Sequence, residues 1–323
     1  MFFRIGNYFG KNLGRMSLVV IGAGLISGWL APVPELRVAM PVFIFCMLYP
    51  AMLRVELSRV GEIARRPTLP VLAMAVLFVL APLLIYLLSQ VYARFCPPEQ
   101  VAGLILYGLM PCGPMVPAYT AMLRGDVNTA VVTLTISLLC SIVIVPLWAG
   151  VLLSQSVQVD SGIILLQMVK TVVVPLAAAE MTRRLIVARR GQAAFTQFRD
   201  RCGALTGWGF MGVFFTVFHT NSHLLLAQPL LPLVIWPAVA SFVGVQFGLG
   251  YLLMRLLRRT PEDTSAFLLC ITARNNAIAI ALATAAFGGA TEVVTAITGP
   301  LCQFPIMLGF QVFRKWQLRR TAR

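Results

Sequence analysis

Three groups of residues in this chain could do chemistry. The first is Met110-Pro111-Cys112-Gly113-Pro114-Met115-Val116-Pro117, a thiol set among three prolines. The second is Arg274-Asn275-Asn276, a cation and two amides inside an apolar run. The third is Gln303, next to Cys302. A proline inside a helix removes a backbone donor and breaks the carbonyl ladder. A thiol beside such freed groups can be activated or meet a soft solute, although a membrane cysteine is more often packing. A guanidinium offers a planar donor fork that fits carboxylates and other oxyanions. Gln303 could bond a solute or hold two helices together, and Thr135, Ser137 and Ser141 share that ambiguity.

Arg274 lies ten or more residues from either end of its apolar segment. A charge at that depth costs at least roughly 2.5–3.5 kcal/mol on insertion scales. Two compatible readings remain open. Either freed carbonyls cap it internally, or it serves as an anion-binding or coupling charge. Lys170 lies closer to a segment end, so its stem can snorkel to the interface. The acidic residues fall in connections, Glu292 included, except Glu180. That residue is placed to pair with Arg183 or Arg184 one helical turn on. His219 and His223 are expected to be solvated at a segment end. With no carboxylate at mid-membrane, simple carboxylate-based coupling is not supported. No paired carboxylates, HExxH or Ser-His constellation appears, which argues against an enzyme.

The elements that must position these residues follow from composition. Of 323 residues, 59% are hydrophobic and 11% charged, against about 25% charged in soluble domains. So apolar a chain needs lipid as its solvent. A spanning helix takes roughly 20 apolar residues. Ten such segments can be read, near 16–31, 38–53, 70–92, 101–123, 128–153, 162–182, 203–220, 229–254, 264–288 and 293–313. Helices are the reasonable spanning form, because lipid satisfies no backbone group. Ala31-Pro32-Val33-Pro34 is a poor cleavage site, so the first segment is read as a span rather than a leader. The seven cysteines form no disulfide framework or zinc pattern, and only Cys96 falls in a clear non-cytoplasmic loop.

The net charge of +15 would suggest nucleic acid in a soluble protein. Here 22 of the 26 Lys and Arg fall in alternate connections and the two tails, and only Arg37 and Arg94 in the others. That split places both termini in the cytoplasm of a multi-pass inner-membrane protein. The chain divides near 157/158 into two five-segment halves, 1–157 and 158–323. An odd number per half makes an inverted repeat. Segments four and nine, at matching positions, are both interrupted, which is the sequence mark of a transporter's central site.

The motifs resemble those of the bile acid:sodium symporter superfamily, closest to its arsenical-resistance (arsenite efflux) family. The likeness rests on MLYPAMLRVEL ending segment two and on LILYGLMPCGPMVPAYTAMLRGD in segment four. It rests also on the Asn275-Asn276 pair followed by an Ala/Ile run to Phe287-Gly288, and on GPLCQFP in segment ten. The resemblance implies an all-α fold of ten transmembrane helices as a 5+5 inverted repeat, with helices four and nine broken and crossing. It implies a panel of helices 1, 2, 6 and 7 moving against a core of the rest. Cys112 falls on the family's functional cysteine. Gln303 falls on its functional glutamate, and an amide cannot release a proton. At the sodium-site positions of the sodium-coupled branch stand Val116, Pro117, Cys270 and Arg274. No sodium or other metal site and no cofactor is therefore expected.

The expected function is secondary transport of a small solute, first an arsenite-like metalloid. The candidate binding residues are Pro111, Cys112, Gly113, Pro114, Met115, Arg274, Asn275, Asn276 and Gln303. A sodium-independent carrier of a small organic anion held by Arg274 is the second reading. A non-transporting receptor or assembly protein of the same fold is the third. The partners are then a small molecule and the bilayer, not nucleic acid. A homo-oligomer is left open.

Overall fold

The computed structural model describes residues 13–55, 67–153 and 161–303, together with Gly6, Phe9, Pro305 and Gly309. The division at 157/158, the basic residues Arg4, Lys11, Arg59, Arg65 and Arg66, and the C-terminal tail lie outside the described residues. Among the described residues every regular element is helical. In chain order they are α1 (Leu13–Leu30), a 3-10 turn (Pro34–Ala39), α2 (Met40–Met52), α3 (Thr68–Tyr92), α4 (Pro98–Leu109) and α5 (Val116–Met122). There follow α6 (Val127–Leu153), α7 (Ser161–Met168) and, through a π turn, α8 (Val174–Thr220). The rest are α9 (Ser222–Ala227), α10 (Leu231–Leu256), α11 (Pro261–Thr272), α12 (Asn276–Ala286) and α13 (Gly289–Ile297), which runs on as a π-helical stretch to Gln303.

Proline opens many of these helices. Pro41, Pro98, Pro117, Pro175, Pro232 and Pro261 each stand in the first two positions, where a missing N–H costs nothing. Five stretches are long and apolar enough to cross a membrane: Pro34–Met52, Thr68–Tyr92, Val127–Leu153, Gly162–Thr220 and Leu231–Leu256. Their outer faces expose Val38, Leu87, Leu147 and Leu256. Water would penalise such surface and lipid does not. The protein is a multi-pass membrane protein.

One connection differs from expectation. Segments six and seven were to be joined by a basic linker at 183–202, yet α8 runs through it. The stretch holds Arg, Ala and Gln, good helix formers, and no proline. Only Gly191 departs from helical geometry, with φ 79° and ψ 173°, and kinks the helix there. Arg183 and Arg184 pair with Glu180 at 3.6 and 2.9 Å, as their spacing indicated.

Two ends of the bundle are defined by their own hydrogen bonds. At the charge-poor end Gln100 Nε2 donates to Gln228 Oε1 (2.6 Å) and Thr291 to the Glu99 carbonyl (2.8 Å). At the arginine-rich end Arg183 donates to the carbonyls of Leu53 and Val55, and the Asp126 N–H to that of Glu262. Between them α8 lies along α1 and α2, α4 along α13, and α12 against α13, α7 and α2.

Three charge-poor-end residues are less solvated than their sequence positions suggest. Cys96 is buried. His219 is buried, bonded through Nδ1 to Ser27 and accepting from the Val33 N–H through Nε2 (3.0 Å). Glu292 is wholly buried in the first turn of α13, accepting from Arg37, Asn221 and Thr284. An acidic first turn is favoured by the helix dipole, which is why a residue next to a loop can be drawn inside.

Candidate functional site at the crossing of two broken helices

The first break begins where α4 ends. Met110 is extended (φ −67°, ψ 147°), the conformation favoured for a residue before a proline. The second break begins at Ala273, also extended (φ −88°, ψ 102°), without any proline. The two breaks meet and satisfy each other. The Gly113 N–H donates to the Ala273 carbonyl (2.8 Å) and the Asn275 N–H to that of Pro111 (2.9 Å). Cys112 and Arg274 thus face each other as an isolated antiparallel bridge. Glycine suits the close approach at 113: a Cβ there would lie 3.0 Å from the Arg274 carbonyl oxygen and 3.2 Å from that of Ala273.

Arg274 is 2% exposed and fully engaged on one side. Its Nη1 donates to the Met110 carbonyl and its Nη2 to Gln246 Oε1, both at 2.9 Å. Its guanidinium carbon stands 5.3 Å from the ring centroid of Phe242. Met110 caps the C-terminus of α4, and Arg274 itself follows the C-terminus of α11. Each helix end carries about half a negative charge. The guanidinium therefore sits against the negative end of the α4 dipole.

Gln303 binds the crossing together. Its Oε1 accepts from the Tyr107 hydroxyl (2.9 Å) and the Arg274 N–H (3.1 Å), while its Nε2 donates to the Arg274 carbonyl (3.3 Å). Asn275 caps α12, its Oδ1 accepting from the Ile278 N–H (3.3 Å). Thr135, Ser137 and Ser141 bond carbonyls of their own helix.

A cavity of about 80 Å³ lies at the crossing. Gly113, Pro114, Met115, Arg274, Asn275, Asn276 and Gln303 line it, and so does Val116. Pro111 and Cys112 do not. The Cys112 thiol is wholly buried beside that of Cys270, 3.8 Å from the Gly113 carbonyl. Four buried polar atoms here have no partner among the described residues: Arg274 Nε, Asn275 Nδ2, Gln246 Nε2 and Asn276 Oδ1. Three of the four are donors. The Asn275 and Gln246 amides are oriented by the bonds their oxygens accept.

Gln246, Phe242 and Tyr107 complete the site and were not singled out in the sequence; Met110, read only as part of the proline-rich stretch, supplies the carbonyl that holds Arg274. Gln246 carried a signal, since it is an amide within an apolar run like Gln303. Among the described residues no group of three or more His, Cys, Asp or Glu could hold a metal ion. At the positions matched to a sodium site, Val116, Pro117 and Cys270 offer no side-chain oxygen, and Arg274 already supplies a positive charge.

A family model for the Sodium Bile acid symporter family matches residues 41–228. The chain belongs to this family. That match spans α2 to α9 and so includes the first break. Relatives extend over both. The arsenical-resistance protein Acr3 of Alkaliphilus metalliredigens is 25% identical, covering 93% of this chain and 90% of its own. An uncharacterized transporter of Synechocystis is 23% identical over 94% of this chain and 87% of its own. An uncharacterized sodium-dependent transporter of Bacillus subtilis is 23% identical over 79% and 77%. As a member of the Sodium Bile acid symporter family, the protein is a membrane transporter of a small molecule.

Proposed function

We propose that the protein is a secondary transporter that moves a small hydrogen-bond-accepting solute by alternating access at the crossing of the two breaks. The observation that carries this is the cavity between them, lined by Arg274 and Asn275 with donors that have no protein partner. Orphaned buried donors cost free energy until something accepts from them. The solute they favour is a small organic anion. In this reading ten spans form two inverted five-helix repeats, 1–157 and 158–323, in the cell membrane with both termini cytoplasmic. Helices α1, α2, α7 and α8 form a panel that moves against the others, and the lie of α8 along α1 and α2 supports that grouping.

Arg274 plays the part of a built-in counter-ion. The Met110 carbonyl at the α4 C-terminus and the Gln246 side-chain oxygen, acceptors that a bound cation could use, are taken by its guanidinium. A sodium ion there would meet a fixed positive charge, so coupling through sodium at the crossing does not fit these residues.

Export of an arsenite-like metalloid is the second reading. Its support is the likeness to arsenical-resistance proteins, including one of Corynebacterium glutamicum at 24% identity. Against it stands the Cys112 thiol, turned to Cys270 rather than to the cavity. Proteoliposomes of the full chain separate the two. Labelled pyruvate and arsenite are presented with and without a sodium gradient. Carboxylate flux that ignores sodium and disappears in Arg274→Ala is expected. Arsenite flux lost in Cys112→Ser, or uptake that rises steeply with sodium, would overturn the anion reading.

A further inference from the structure

A second and larger cavity, about 400 Å³, opens between α2, the α7–α8 junction and α12, toward the charge-poor end. Its wall carries Arg37 and Lys170, with Gln167, Thr171 and Thr284 as further polar groups. Among the described residues no carboxylate lines it. Arg37 is partly matched by Glu292, which it approaches at 3.3 Å, but Glu292 is wholly buried behind it while Arg37 is 43% exposed. Lys170 has no ion-pair or hydrogen-bond partner among the described residues. It lies on the cavity wall, not merely at a lipid interface. A charged side chain within a spanning segment is costly and is kept where it faces a partner or a wet cavity. Leu48, wholly buried, lines both this cavity and the one at the crossing. Leu48 is thus the lining residue that the two cavities share.

We propose that this outer cavity is a loading site for small anions carrying a carboxylate or sulfonate group, held between Arg37 and Lys170 ahead of passage past Leu48. The purpose of the site rests on the transporter reading above, while its charge and position do not. A cleft lined by one sign of charge concentrates counter-ions of the other sign. An anion that reaches Arg37 also competes with Glu292 for it. Arg37 leads into α2 and Glu292 belongs to α13, so loading would loosen a tie between panel and core. Cations and neutral solutes gain nothing from the site.

The test reads the cavity's charge without needing the true substrate. Ala285 lines the cavity, is exposed and has no bonded partner. Ala285→Cys in the full-length protein in detergent is treated with a sulfonate-bearing and then a trimethylammonium-bearing methanethiosulfonate. Each rate is normalised to that reagent's rate with free cysteine, with the unsubstituted protein as background. The anionic reagent is expected to be favoured by about tenfold at low salt, the lower end of such focusing. Adding Lys170→Gln should bring the ratio near one. Ethanesulfonate should also slow modification by neutral N-ethylmaleimide, and tetramethylammonium should not.

A ratio at or below one overturns the proposal, as does a ratio indifferent to Lys170→Gln or an absence of ethanesulfonate protection. Pro41→Cys, on the facing wall, repeats the measurement should Ala285→Cys fold poorly. Absence of solute flux in proteoliposomes would defeat the transporter reading and leave these ratios standing. Flux without charge selectivity would defeat the loading site alone.

Discussion

The break between α4 and α5 holds two prolines, Pro111 and Pro114, with Pro117 in the first turn of α5, and the break between α11 and α12 holds none. The first is opened at proline, which disfavours the helical region for the residue before it, and Met110 is extended there. The second is opened by side-chain chemistry, with Asn275 capping one helix and Arg274 following the end of another. The difference decides which break can hold a solute. Prolines remove N–H donors, so the start of α5 has few to offer. The second break keeps its amides and adds a guanidinium and two carboxamides. The orphaned side-chain donors of the crossing come from Arg274, Asn275 and the nearby Gln246. One break is a rigid wall and the other a polar cradle. The pair folds as a unit because each satisfies the backbone of the other.

The strongest way to break this comparison is to take away the cation. Arg274→Met keeps length and apolar packing but leaves the Met110 carbonyl and Gln246 Oε1 without donors. Hydrogen bonds to charged groups contribute about 1.5–3 kcal/mol each, so a loss of about 3 kcal/mol or more is expected. It is read as a lowered thermal midpoint of the purified protein. Arg274→Met combined with Gln246→Leu should recover part of the loss, because one stranded acceptor is gone. If Arg274→Met melts like the parent, the guanidinium does not tie the two helix ends together.

The next test acts on the proline-rich side. Gly113→Ala places a methyl against two backbone carbonyls, which cannot rotate out of the way. Overpacking of this kind costs about 1–3 kcal/mol. Gly22→Ala is the control, since a Cβ at Gly22 meets nothing within 4 Å. A helical glycine with open space around its Cα gains up to about 1 kcal/mol on such a change. Opposite shifts in thermal midpoint are expected. Equal shifts would mean that the two breaks do not lie against each other at Gly113.

How much of this was legible in the sequence varies with the physics behind each residue. Proline acts locally, so the interruption near Pro111 could be read directly. Arg274 stood out because a buried charge is rare in an apolar run. The partners it found could not be read, since the Met110 carbonyl and Gln246 are remote in sequence and any freed carbonyl would have served. Cys112 was placed at the right break, but which way its thiol turns depends on Cys270, brought up by the crossing. His219 and Glu292 sat at segment ends, where hydropathy does not distinguish a wet loop from a packed helix start. Their burial comes from tertiary hydrogen bonds to Ser27, Val33, Arg37 and Asn221. The linker at 183–202 was misread because basic composition signals a membrane face and is silent on whether the backbone stays helical.

The smallest effect sharpens the comparison most. If the second break is held open by side chains, its cap should matter in a graded way. Asn275→Ala removes the acceptor for the Ile278 N–H, and loss of an N-cap costs about 1 kcal/mol. Asn275→Ser can still cap and should retain most of that stability. Both variants lose the partnerless Nδ2 donor of a residue that lines the cavity. Stability and solute binding should therefore separate. Asn275→Ser is expected to melt close to the parent yet bind the transported anion more weakly, by roughly the five- to tenfold that one neutral hydrogen bond supplies. Thermal midpoints measured with and without ligand give both quantities on one sample. If Asn275→Ser lost stability as fully as Asn275→Ala, the cap would need the amide itself. If it bound as tightly as the parent, the free Nδ2 would face no solute, and the polar cradle would reduce to Arg274.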